Sequence, residues 1–67
     1  MRVRINGQEE LITEKSLTLQ ELIANRGLSP SQVVAEVNRQ IIPREQWSQI
    51  GLQNNDCIEI ISFVGGG

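Results

Sequence analysis

The chain contains no histidine and no tyrosine, and it has one cysteine, one tryptophan and one phenylalanine. Without histidine, a Ser-His-Asp or Cys-His nucleophilic arrangement cannot be assembled. With Cys57 as the only thiol, a zinc site of the His/Cys type is excluded as well. A lone cysteine forms no internal disulfide, which fits a reducing compartment. Neither GxGxxG nor GxxxxGK[ST] occurs, so no loop of this kind cradles a nucleotide phosphate. No apolar run is long enough to span a bilayer. Arg2 and Arg4 are not followed by the apolar stretch of a signal peptide. Six basic residues are scattered against eight acidic ones, giving a net charge of −2. That balance lacks the basic footprint of a nucleic-acid or anionic-membrane binder. Together these absences lead us to expect a soluble cytoplasmic protein.

What is present suits a small folded globule: 39% of the 67 residues are hydrophobic and 21% charged. A chain of this size buries only about 60% of its unfolded surface, so little core is left for an enclosed catalytic cavity. We expect one domain over residues 1–64 and a flexible glycine tail over 65–67.

The first segment, Met1 to Ile5, alternates apolar and basic residues, the pattern of a half-buried strand. Asn6-Gly7 follows, and both residues tolerate the positive φ of a type I′ hairpin turn. Gln8 to Thr13 reads as the return strand. Thr18-Leu19-Gln20-Glu21 is a capping box, and Leu19, Leu22 and Ile23 give one apolar stripe. The spacing predicts a helix over 19–26, closed by Gly27. Gln32 to Asn38 is rich in β-branched residues and predicts a third strand. Asn38-Arg39-Gln40 can turn into a short strand, Gln40 to Ile42, which Pro43 stops. Arg44 to Trp47 reads as one helical turn, Asn54 to Asp56 as a turn cluster, and Cys57 to Val64 as the last strand. The expected class is α+β: a mixed four- to five-stranded sheet packed on one helix. This element order matches the β-grasp, or ubiquitin-like, arrangement.

Catalytic side chains are hard to find in this inventory. Glu9, Glu10, Glu14, Glu21, Glu36, Glu45, Asp56 and Glu59 fall on expected surfaces, caps or turns, whereas paired acid/base carboxylates need burial to shift their pKa. Cys57 opens the last strand, where a small buried hydrophobe is ordinary. Trp47 is expected to cover one end of the core. By elimination we do not expect an autonomous enzyme, and no catalytic or metal-binding residue is assigned.

Gly65-Gly66-Gly67 then stands out. Three glycines are costly to order and add nothing to a core. Such a tail is either a frayed end or a slender arm that could enter a channel any Cβ would block. A terminal carboxylate is a poor electrophile. Adenylated by a partner, it gains AMP as a leaving group, and a sulfur nucleophile can attack.

With these glycines, the pattern Asn38…Ile42-Pro43-Arg44…Trp47 resembles the ThiS family of small sulfur carriers in thiamin biosynthesis. The likeness runs from Val3-Arg4-Ile5-Asn6-Gly7 to the final glycine. It implies a β-grasp fold. It also implies that the Gly67 carboxylate is adenylated by a ThiF-like, ubiquitin-activating-type enzyme and converted to a thiocarboxylate. A thiazole synthase partner then receives the sulfur. No cofactor is bound by the carrier itself; ATP and a sulfur donor are used by the partner enzymes. The free carrier is expected to be monomeric. One departure is the third glycine: Gly65 replaces the small residue that usually precedes the terminal pair.

Period 2 on the last strand puts Ile58 and Ile60 under the helix with Val3, Ile5, Ala35 and Val37, and Cys57, Glu59, Ile61 and Phe63 on the outer sheet face. An exposed Ile61 and Phe63 beside the tail would form a partner-docking patch; the alternative is that they pack under the Pro43–Trp47 segment. Arg2 and Arg4 either meet an acidic partner surface or stay solvated. Rival functions are a molybdopterin-synthase-type sulfur carrier, a ubiquitin-like protein modifier and an inert β-grasp binding module.

Overall fold

A computed structural model of the protein describes residues 1–63. The alternation in the first segment becomes strand β1, Arg2–Ile5, with Val3 and Ile5 buried and Arg2 and Arg4 exposed. Asn6 and Gly7 take φ of 51° and 83°, as a two-residue I′ turn demands. They lead into β2, Gln8–Leu11. This strand is shorter than the expected 8–13; it lies at a sheet edge and has no buried alternation to extend it.

Helix α1 spans Leu19–Asn25 and begins with the expected capping box. The Thr18 hydroxyl accepts the Glu21 N–H at 3.1 Å, and the Glu21 carboxylate accepts the Thr18 N–H at 2.9 Å. Gly27, at φ 71°, ends the helix in the left-handed region. A 3₁₀ turn at Pro30–Gln32, absent from the sequence reading, delivers the chain to β3, Val33–Val37. Asn38 and Arg39 form a second positive-φ turn, at 53° and 72°, into the two-residue strand β4, Gln40–Ile41. The turn expected at Arg44–Trp47 is a longer 3₁₀ segment, Arg44–Gln49. The last strand, β5, covers Cys57–Ser62. The Phe63 N–H still donates to the Gln32 carbonyl at 2.9 Å. Val64 and the glycines 65–67, including the expected domain boundary, lie outside the described residues.

The five strands run in the order β2-β1-β5-β3-β4. β5 is central, parallel to β1 and antiparallel to β3. The sheet is therefore mixed, and α1 covers one face in a two-layer α+β arrangement. Val3, Ile5, Ala35, Val37, Ile58 and Ile60 are all buried with Leu19, Leu22 and Ile23, as the alternation predicted. Trp47 is 2% exposed and closes one end of the core. Its indole Nε1–H donates to the Ile42 carbonyl at 2.8 Å, which satisfies the polar edge of a buried ring. An ion pair between Arg26 and Glu10, at 3.1 Å, ties the end of the helix to β2.

Two expectations need correction. Cys57 is exposed, not buried. It starts the outward phase of β5, beside Arg4 in the parallel register, and the helix covers only the other face. Asp56 sits in its turn but is buried. Its carboxylate accepts the Gln53 N–H at 2.7 Å and the Asn38 side-chain N–H at 3.0 Å, and these bonds offset the loss of water.

Candidate functional site

The site is built on β5, whose last described residues lead toward the glycines. A central strand is held by both neighbours, but β1 ends at Ile5 and β3 at Val37. Two asparagines supply what the short strands lack. At one end the Asn38 Oδ1 accepts the Cys57 N–H at 3.0 Å, while the Asn38 backbone N–H donates to the Cys57 carbonyl at 2.7 Å. Toward the other end the Asn6 Oδ1 accepts the Ile60 N–H at 2.8 Å, and its Nδ2 donates to the Ile60 carbonyl at 3.2 Å. Both asparagines adopt positive φ, so each turn aims a carboxamide at β5. Sequence reading identified both as turn residues and missed this second role. The available signal was asparagine, which tolerates left-handed φ and carries both a donor and an acceptor.

The outer sheet face opposite α1 is uncovered among the described residues. Ile61 is 54% exposed and Phe63 46% exposed. Ile61 lies opposite the half-buried Val34 in the β3–β5 register. The alternative placement under Pro43–Trp47 does not occur, because Trp47 points into the core and its segment packs against α1. Ile41, on β4, is also exposed and faces Glu36. Glu36 is in turn directly opposite Glu59. Sequence reading placed both carboxylates on surfaces, but their juxtaposition follows only from register.

Farther along the face, Arg2 and Arg4 are exposed as expected. With Glu9, Asn55 and Cys57 they line a depression of about 230 Å³. Glu36 and Glu59 are not among the residues that line it. Among the described residues no group of three His, Cys, Asp or Glu side chains could hold a metal ion. No described helix is long and apolar enough to cross a membrane.

Residues 3–67 match the ThiS family. This chain belongs to the ThiS family. Its backbone superposes on the crystal structure of the thiamine biosynthesis protein ThiS from Geobacter metallireducens with a TM-score of 0.85, at 26% identity and over the whole of both chains. The sulfur carrier protein ThiS of Bacillus subtilis is 35% identical over 65 residues, covering 97% of this chain and 98% of that one. A thiazole synthase of Paramagnetospirillum magneticum is 33% identical over all 67 residues, but this chain spans only 20% of its length. The β-grasp architecture expected from element order is thus shared with a solved ThiS protein. Ile61 lies near the end of β5 and Phe63 just past it, shortly before Gly65, Gly66 and Gly67 in the sequence. Gly65, Gly66 and Gly67 lie outside the described residues, although the family match extends through them.

Proposed function

We propose that this ThiS-family chain is a sulfur carrier for thiazole formation in thiamin biosynthesis, with the Gly67 carboxylate as its working group. The observation that carries the reading is a family match running unbroken from residue 3 through residue 67, glycines included. The resemblance of the whole chain to the Bacillus subtilis sulfur carrier supports it.

In this reading a ThiF-like enzyme binds ATP, and the Gly67 carboxylate attacks the α-phosphorus as pyrophosphate departs. The mixed anhydride has a good leaving group. A sulfide-level sulfur nucleophile from a donor attacks the acyl carbon, AMP leaves, and a thiocarboxylate remains. Thiazole synthase then takes that sulfur into the ring. The chain supplies delivery: a rigid sheet for docking, through Ile61 and Phe63, and a run of glycines without side chains for entry into the partner's site. It needs no cofactor or catalytic side chain of its own, and it works as a monomer in the reducing cytoplasm.

Intact-mass analysis after incubation with ATP, the activating enzyme and a sulfur donor tests the reading. The expected result is a mass gain equal to exchanging one oxygen for sulfur, localised to Gly67 by fragmentation. An unmodified terminus, or an isopeptide adduct to lysine in its place, would overturn it.

A further inference from the structure

The outer face carries a charge arrangement that the free chain does not resolve. Glu36 on β3 and Glu59 on β5 are direct cross-strand partners. Side chains so placed have Cβ atoms about 4.5–5.5 Å apart, and like charges there are destabilising. Both residues are half-buried, which weakens the solvent screening that an exposed pair would enjoy. Among the described residues the one ion pair is Arg26–Glu10, so no cation of the chain bridges these carboxylates. Arg4, one outward step from Glu59 through its Cys57 partner, makes no ion pair with it, and the carboxamide of Asn6 is committed to Ile60.

Apolar side chains surround the pair. Val34 and Ile61 form the next outward cross-strand pair, Ile41 lies beside Glu36, and Phe63 extends the patch. Two adjacent carboxylates within an apolar rim fit one basic side chain that arrives with apolar neighbours. An arginine would engage both carboxylates through its planar fork.

We propose that Glu36 and Glu59 together receive an arginine or lysine of thiazole synthase when the outer face docks. The proposal rests on the carrier reading. Thiazole synthase is chosen over the activating enzyme because the Paramagnetospirillum magneticum thiazole synthase includes a segment similar to this whole chain. A surface that meets thiazole synthase in a separate chain has its counterpart tethered there.

The distinguishing signature is opposite movement of stability and affinity. E36Q, E59Q and the double variant remove repulsion in the free chain, so the urea midpoint rises. The same variants lose the partner's cation, so titration with thiazole synthase shows binding weakened by about tenfold or more. The salt dependence of wild-type binding shrinks with it. Unchanged affinity in the double variant overturns the proposal. Failure of the wild-type chain to bind thiazole synthase overturns it too, while thiocarboxylate formation on Gly67 is read separately by mass and reports on the carrier reading. A wild-type dimer in sedimentation that the double variant dissociates assigns the face to a second copy and also overturns it.

Discussion

The Asn6 carboxamide brackets the Ile60 peptide, accepting its N–H at 2.8 Å and donating to its carbonyl at 3.2 Å across 54 residues of sequence. One side chain thereby extends β1 past its last residue and fixes the final part of β5. Replacing Asn6 by alanine would combine the lost bonds with left-handed strain at φ 51°. Asn6→Gly separates the two, since glycine accepts that conformation. We expect Asn6→Gly to cost about 1–2 kcal/mol in urea denaturation and to speed amide exchange at Ile60. Wild-type exchange at Ile60 in a folded variant would show that the bracket is dispensable.

Much of this fold was legible because local signals agreed. Val3 and Ile5 alternate with Arg2 and Arg4, and Thr18 and Glu21 form their capping box where the apolar stripe begins. The outward placement of Ile61 and Phe63 followed from the same period of two. Other features depended on pairing between distant strands, which no local pattern encodes. The Glu36–Glu59 pair exists only because β3 and β5 adopt one particular register. For Cys57, the period of two on β5 gave the outer face it occupies beside Arg4, and only the burial suggested by its small apolar character was wrong. Asp56 was read as a surface turn residue, and its burial became tolerable only through bonds from Gln53 and Asn38.

Arg39 is an exposed residue held at φ 72° in the turn between β3 and β4. A residue with a Cβ pays roughly 1–2 kcal/mol for that conformation. Glycine removes the strain but loses more chain entropy on folding. The strain term is larger, so Arg39→Gly should stabilise the fold by about 0.5–1 kcal/mol. A lower thermal midpoint than wild type would mean that the arginine side chain makes a compensating contribution.

Trp47 combines burial with one directed bond, from its indole N–H to the Ile42 carbonyl at 2.8 Å. Phenylalanine retains most of the apolar volume and removes the donor. Trp47→Phe should therefore cost about 1–3 kcal/mol, followed by circular dichroism because the variant lacks the only tryptophan. In the wild-type chain, tryptophan emission should shift to the red on unfolding. The absence of that shift would contradict the buried position.

Gly66 allows the carrier role to be tested apart from the fold. The buried core of the described residues runs from Val3 to Ile60. Gly66→Ala should leave the urea midpoint within about 0.5 kcal/mol of wild type. If the glycines enter a confined active site, the added methyl misplaces the carboxylate, and thiocarboxylate formation should slow by on the order of tenfold or more. A normal rate of the mass gain would dismiss the need for a slender tail.

Ile61 and Phe63 test whether the open face is a contact surface. Their exposure means that smaller polar replacements remove little buried area, although Ile61→Thr weakens its pairing with Val34. Thr also keeps the β-branch that suits a strand. Ile61→Thr and Phe63→Ser should each change stability by less than about 1 kcal/mol. If these side chains anchor a partner, each should weaken binding to thiazole synthase by on the order of tenfold, because buried anchors dominate interface energies. The loss should be insensitive to salt, unlike that caused by neutralising Glu36 and Glu59. Calorimetry across a salt series therefore separates the apolar contribution from the charged one. Affinity equal to wild type in both apolar variants would remove Ile61 and Phe63 from the interface.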